Sequence, residues 1–303
     1  MHIVLSTCAA DPDLYASDAL LSAALSSRGH TVSAVAWNEP TASYENIDAI
    51  VLRANWDYHE SPQAFLDWLT RMQADGVRVL NDIELVRWNF DKRYLLDLRE
   101  SLDCSGASDD RLIAVPAVHV VDQHDTASIV ELMGKLGWEQ AVLKSLSGQS
   151  GYHCHKIQRD SPDTWSQDAG AIPTEAALLQ AFEPDIMTYS ETVFVFFLGK
   201  FSHSARRVIA EGEWRANSRF GARVEAYSPS PNLIEQARRV LHAAPTTSPP
   251  LYARVDGIVK DDDSFTLMEL ELIEPSLYLE TDPDAAERFA TAIETTLASP
   301  RAR

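Results

Sequence analysis

Residues 252–276 read YARVDGIVKDDDSFTLMELELIEPS, and their pattern decides the fold of the last third of the chain. Two apolar runs, 252–259 and 265–272, flank Asp261, Asp262 and Asp263, the arrangement of an antiparallel hairpin. Side chains two apart on a strand point to the same face. Glu269 and Glu271 therefore project together, and the hairpin sets Asp256 across from them. Three carboxylates on one face repel unless a cation lies among them. An all-oxygen donor set suits Mg²⁺, which keeps some waters and is completed by substrate phosphates. The competing reading is a solvated acidic edge, because residues 256–298 carry 12 acidic and 2 basic side chains. Leu270, Leu272 and Ile273 interleave with the glutamates, however, so one face is expected to be buried.

Upstream of the hairpin, residues 191–197, 200–204 and 206–210 alternate like a meander with a turn at Leu198-Gly199; residues 232–243 and 284–298 read as helices. In the middle third, 115–121 and 141–144 read as strands around a helix at 127–135, and 175–182 as a helix running into a strand. Residues 84–99 read as one helix containing Lys92, followed by a Ser-, Asp- and Gly-rich loop at 101–110. The first ninety residues alternate strands (2–6, 31–35, 47–53, 77–80) with amphipathic helices (16–27, 62–75), the signature of βαβ units on a mainly parallel sheet. The expected fold class is α/β followed by α+β, with no internal repeat.

Composition narrows the function. The 303 residues hold 26 basic and 45 acidic side chains, a net charge of −19, which repels phosphate backbones and anionic lipid and argues against nucleic-acid and membrane partners. Cys8, Cys104 and Cys154 are far apart with no CxxC, as suits a reducing cytoplasm. No run approaches the ~20 apolar residues of a membrane span. No GxGxxG follows the first strand, where the chain reads STCAA, and GxxxxGK[ST] is missing, so phosphate would have to be held without these loops.

The remaining chemistry-bearing residues are scattered. Lys144 ends the apolar run Ala141-Val142-Leu143 and precedes SLSGQSG; a lysine delivered beside a Gly/Ser loop can lie along a phosphate chain, or simply reach water. Lys92, in DKRYLL, reads more readily still as a helical surface lysine. Arg215, Asn217 and Arg219 form a cluster in GEWRANSRFG that requires an anionic partner, either a ligand or a neighbouring carboxylate. His153 and His155 lack a third zinc ligand at metal spacing, Ser147, Ser150 and His203 lack a nucleophile elbow, and Phe194, Phe196, Phe197 and Phe201 read as core.

Together these features resemble the ATP-grasp superfamily, in the glutathione-synthetase-like branch that includes the cycloserine-forming O-ureido-serine cyclo-ligases. The resemblance rests on eight segments in order: LRANWDYHESPQAFLDWL (52–69), LNDIELVRWNFDKRYLLDL (80–98), VLKSLSGQSG (142–151), LLQAFEPDI (178–186), ETVFVFFLGKFSHSARRV (191–208), GEWRANSRFG (212–221), YARVDG (252–257) and LMELELIEPSLYLE (267–280). It implies an ATP-grasp fold with an N-terminal open α/β domain and connecting helix over 1–114, a lid subdomain over 115–187 and a C-terminal antiparallel-sheet subdomain over 188–303. It further implies that Lys92 and Lys144 contact nucleotide phosphates beneath a loop containing Ser147 and Gly148. Gln180, Ala181 and Phe182 would present backbone groups to adenine, and Glu191 would take the ribose hydroxyls. Arg215 and Asn217 would lie at the transferring phosphoryl group, with Lys144 and Arg215 offsetting its charge. Asp256, Glu269 and Glu271 would hold two Mg²⁺ ions, with Mn²⁺ as a substitute. Two positions depart from the family pattern: Glu271 stands where asparagine is common, and Val193 where an arginine follows the ribose acid.

The implied activity is ATP-dependent carboxylate–amine ligation through an acyl phosphate, giving an amide or a cyclised product such as that of O-ureido-serine. The partner is a small amino-acid-like molecule, met by Arg53, Trp56, Asp57, Tyr58, Arg219, Glu274 and Ser276; the chain would act as a monomer or homo-oligomer. A ligase joining two separate amino acids and a non-catalytic ATP-binding scaffold are the alternatives.

Overall fold

The computed structural model describes residues 1–104, 113–122, 125–148, 154–161 and 176–299. Its first sheet is parallel, in the order β2 (Thr31–Ala36), β1 (His2–Thr7), β3 (Ala49–Leu52), β4 (Val79–Leu80), with α1 (Ala16–Ser27) and α2 (Pro62–Ala74) as crossovers. The two faces follow strand alternation. Val4, Ile50 and Leu52 pack with Phe65, Trp68 and Leu69 of α2 and with α3 (Ile83–Phe90). Ile3, Leu5, Ala49 and Val51 pack the other way, against α1 and the terminal helix α8 (Ala285–Ala298).

One helix was expected over 84–99, but the chain makes two, α3 and α4 (Tyr94–Cys104). Asp91 adopts an extended backbone, and the Lys92 amide donates to the Leu146 carbonyl at 2.9 Å instead of continuing the helix. The break turns Lys92 inward, away from the surface that an unbroken helix would give it.

A second, antiparallel sheet has the order β5 (Val118–Val121), β8 (Ala177–Ala181), β6 (Gln140–Ser145), β7 (Cys154–Gln158). It is backed by α5 (Thr126–Leu136), capped at its start by Asp125 on the Ser128 amide and closed by Gly137 at φ 72°. The element expected over 175–182, a helix running into a strand, is strand from Ala177 to Ala181 with no helical part among the described residues, since β8 is hydrogen-bonded on both sides and buried, and tertiary pairing overrides the helical preference of Ala and Leu. Gln149 to His153 and the stretch 105–110 lie outside the described residues, as do the side chain of Cys104 and Glu175 at the start of the expected 175–182 element.

The third sheet is antiparallel, in the order β11 (Arg223–Tyr227), β10 (Lys200–Val208), β9 (Glu191–Phe197), β12 (Tyr252–Val259), β13 (Phe265–Glu271). The two strands expected over 200–210 are one, with a register shift between Phe201 and His203 in place of a break. β7, β11 and the short α6 (Ile186–Tyr189) were not anticipated. One face of this sheet, through Phe194, Phe196, Ala253, Val255 and Leu270, packs on α4 and α7 (Pro231–His242). On the other face, Val195, Phe197 and Tyr252 share a core with the first sheet, and Phe197 stacks on Phe289 of α8 at 4.6 Å. The first and third sheets are therefore fused by continuous apolar packing, whereas the second has a small core of its own around Ile129, Met133 and Leu143. No described helix is long and apolar enough to cross a membrane.

Gly257 marks the tightest point of the hairpin. The register between β12 and β13 shifts beside it, and a Cβ there would stand 2.3 Å from the Phe265 ring and 2.5 Å from the Thr266 carbonyl oxygen. Gly257→Ala is expected to cost about 1–3 kcal/mol of stability through forced displacement of the strand pair, read by urea unfolding. Unchanged stability would mean that the two strands have room to part.

Candidate active site

Strand register assembles the charged half of the third sheet's inner face. Asp256 pairs with Glu269 and Arg254 with Glu271 across β12 and β13, while Arg207 of β10 pairs with Glu191 of β9. Cross-strand partners share a face, so all six side chains project together beyond the apolar half formed by Val195, Phe197 and Tyr252. The register shift at Gly257 leaves Met268 as the extra residue, and it lines the cavity above this face.

Asp256 lies at the centre of this half and is 0% exposed. Arg254 Nε and Nη2 each donate to it at 2.8 Å, and Arg207 Nη2 donates at 2.7 Å. Arg254 also pairs with Glu271, Arg207 with Glu191, and Lys92 Nζ donates to Glu269 Oε1 at 2.6 Å. Burial works against ionisation of Glu191, Glu269, Glu271 and Glu274, and nearby cations work for it. Glu269 is drawn down to about 2 because Lys92 and Lys144 outweigh its burial. Glu271 and Glu191 are each pushed up to about 7, where burial and the charge of Asp256 prevail over Arg254 and Arg207. Glu274 is pushed up to about 8 by burial and by Glu271.

The second sheet supplies the opposing wall. Ala141 and Leu143 of β6 bury against α5, so alternation turns Val142 and Lys144 to the cavity, together with Cys154 of β7 and Gln180 of β8. Between the walls is a cavity of about 810 Å³, adjoined by a smaller one of about 120 Å³ around Tyr58, Lys92, Gly148 and Glu274. All the site residues implied by the resemblance line one or the other except Arg53, Ser147 and Asp256.

Arg53 departs from its expected substrate contact. Its side chain is buried, with Nε donating to Asp18 at 2.8 Å and Nη2 to the Pro275 carbonyl at 2.7 Å, which makes it a brace between α1 and the chain beyond β13. The Ser147 carbonyl accepts from Ser145 Oγ at 2.8 Å. Expected backbone contacts from Ala181 and Phe182 are also limited, because their amides already donate to the Ala117 and Gln140 carbonyls. What these residues offer the cavity is the Gln180 amide, whose Oε1 is buried without a partner among the described residues, and the Phe182 ring.

Arg215 is held rigidly. Glu213 receives its Nε at 2.9 Å and its Nη2 at 2.7 Å, and the Phe220 ring lies 3.5 Å from its guanidinium carbon. Its Nη1 is buried with no partner among the described residues. Asn217 Oδ1 accepts the Arg219 amide at 2.8 Å and caps the short turn Ser218–Phe220, so part of Asn217 is already engaged. Asp57 likewise accepts from Trp37 and Asn38, and Tyr58 stacks on Phe65. Sequence reading missed Arg207, Arg254 and Glu213. The available signals were position: Arg254 precedes Asp256 by two residues, and Glu213 precedes Arg215 by two.

The donor chemistry of Glu269 and Glu271 fits a hard divalent cation: both are oxygen ligands on one face, with side chains 31% and 28% exposed toward the cavity. Asp256 does not fit as arranged, since Arg207 and Arg254 occupy its oxygens. Among the described residues no three His, Cys, Asp or Glu side chains converge at metal-binding geometry, so the expected triad is not assembled as a ligand set.

A family model described as the N-terminal domain of the D-cycloserine synthetase DcsG matches residues 3–81. The cycloserine biosynthesis protein DcsG of Streptomyces lavendulae is 25% identical over 280 residues, 88% of this chain and 88% of the relative. The crystal structure of D-cycloserine synthetase DcsG matches with a TM-score of 0.82 at 25% identity, covering 98% of this chain and 100% of that one. A RimK domain ATP-grasp protein from Sphaerobacter thermophilus shares the fold at a TM-score of 0.67 and 18% identity, over 96% of this chain and 99% of its own. The ATP-grasp ligase PsnB, in complex with a minimal precursor, Mg and ADP, does so at 0.59 and 14%, over 97% of each chain. By sequence and by fold together, the chain is a homologue of the DcsG-like D-cycloserine synthetases and has the ATP-grasp fold.

Proposed function

We propose that this chain is an ATP-dependent carboxylate–amine ligase whose product is a cyclised amino acid, with O-ureido-serine as the substrate that its kinship favours. The observation that carries the reading is a single cavity walled by Lys144 and Gln180 on one sheet and by Glu269, Glu271 and Arg215 beside the other; two of these lining residues each hold a buried polar atom, Gln180 Oε1 and Arg215 Nη1, with no partner among the described residues. An acceptor suits the adenine amino group, and a guanidinium N–H suits a phosphoryl oxygen. Residues 1–114, 115–187 and 188–303 serve in this reading as substrate-facing domain, lid and catalytic floor.

A substrate carboxylate oxygen attacks the γ-phosphorus, the bond to the β-phosphate oxygen breaks and ADP leaves. A nitrogen then attacks the acyl carbon, inorganic phosphate departs with the electron pair of the C–O bond, and the nitrogen's proton is lost. Lys144 and Arg215 oppose the charge on the transferring oxygens, and Glu213 keeps Arg215 in its place during the transfer. Lys92 reaches the phosphates from the break between α3 and α4, and Glu191 faces the ribose. Trp56, Arg219 and Ser276 contribute to the substrate end. The two walls exclude water from the acyl phosphate. Mg²⁺ held by Glu269 and Glu271 would neutralise phosphate charge.

The reading is tested by phosphate release from ATP, which should require the added amino acid, and by the product mass: loss of one water from one substrate identifies cyclisation, and a joined mass identifies ligation of two. Phosphate release independent of any amino acid would overturn it. Glu269→Gln and Glu271→Gln are each expected to lower turnover at least about tenfold and to raise the Mg²⁺ requirement, read by titrating Mg²⁺ against rate. Lys144 makes no ion pair among the described residues, so it is free for the nucleotide. Lys144→Ala should therefore weaken ATP binding by about 10- to 100-fold, the equivalent of a charge-assisted hydrogen bond, as measured by calorimetry.

A further inference from the structure

The segment after β13 is fixed by its backbone and yet leaves one side chain unused. The carbonyls of Ile273, Pro275 and Ser276 accept from Tyr252 Oη at 2.6 Å, Arg53 Nη2 at 2.7 Å and Arg254 Nη1 at 2.9 Å. All three donors are buried; two come from the third sheet, while Arg53 directly follows β3 of the first and is itself held by Asp18. Among these pinned carbonyls stands Glu274, 6% exposed, lining both cavities, with no hydrogen bond or ion pair among the described residues.

Its neighbours on the same floor are all matched. Glu191 has Arg207, Asp256 has Arg207 and Arg254, Glu269 has Lys92, and Glu271 has Arg254. A largely buried carboxyl that meets only the cavity has no partner of its own, since Lys92, Arg254 and Arg53 act on it without making an ion pair, and fixing its backbone from two sheets keeps it from finding one within the protein. The missing partner therefore arrives with the ligand. Tyr15, Trp56 and Glu280 line the same larger cavity; aromatic faces and negative charge both favour a cation.

We propose that Glu274 anchors a protonated amine of the substrate, so that the enzyme selects a carboxylate substrate bearing a free ammonium group. The inference rests on the ligase reading above and adds to it the residue that recognises the substrate's amine.

The test uses the full chain, wild type and Glu274→Gln, titrated by calorimetry with O-ureido-serine in both configurations and with the N-acetyl derivative of each, in the presence of Mg²⁺ and ADP. Binding of Mg²⁺–ADP alone is the control for folding. Wild type should prefer the free amine by about 10- to 100-fold, and the variant should lose that preference while binding Mg²⁺–ADP unchanged. A preference that survives in the variant overturns the proposal, as does wild type that binds both forms equally or neither. An altered Mg²⁺ requirement for ADP binding in the variant would make Glu274 a metal ligand and overturn it as well. Phosphate release by wild type with the free amine reports on the ligase reading separately: its absence, with the binding preference intact, supports the anchor and removes the reaction.

Discussion

Two guanidinium groups on one buried carboxylate hold the charged face of the third sheet together. Asp256 has no access to solvent, and burying its charge is tolerable only because Arg254 and Arg207 meet both of its oxygens. The contact joins β12 to β10 across β9, and through Arg254 and Arg207 it reaches Glu271 and Glu191. Removing any one member would leave an uncompensated charge in the interior, so the network specifies which strands lie side by side as well as what the face presents. Its partners then fix the ionisation of the rest: the carboxyl beside the lysines stays charged, and those crowded by Asp256 and burial resist charging.

A sheet with such a face needs apolar support elsewhere. Phe194, Phe196, Val255 and Leu270 supply it on the reverse, under α4 and α7. On the charged side, the apolar half, Val195, Phe197 and Tyr252, is sealed by the first sheet and α8. Arg28, at the end of α1, adds ion pairs to Glu287 and Glu294 on α8. The first and third sheets consequently form one body, and the chain running from Ile273 to Ser276 is positioned by both. The second sheet presents Lys144 and Gln180 to the cavity from a separate core, so the two walls of the cavity come from different units.

Much of this was legible from the amino-acid order. Alternation in the first ninety residues gives the parallel sheet, and the i, i+2 spacing of Glu269 and Glu271 gives their common face, because both depend on local geometry alone. Tertiary choices were less legible. The helix pattern through 84–99 contains nothing that marks Asp91 as a break, since the cause is a hydrogen bond from Lys92 to Leu146, far along the chain. Residues 175–182 read as a helix running into a strand, and 177–181 are strand throughout because both neighbours pair with them. Arg53 reads as a ligand contact at a strand end, yet its partner Asp18 lies 35 residues away on another element. Asp256 reads as a metal ligand, and only the fold brings Arg207 to it. Sequence spacing finds the carboxylates; it cannot find the distant cations that occupy them.

The central claim is that a substrate carboxylate is activated by phosphoryl transfer within the cavity between the second and third sheets. Its most direct test is to supply O-ureido-serine with ¹⁸O in the carboxylate, together with unlabelled ATP and Mg²⁺, and to analyse the released inorganic phosphate by mass spectrometry. An acyl phosphate passes one labelled oxygen to each phosphate released. Turnover to the cyclised product with phosphate that carries no ¹⁸O would contradict the account.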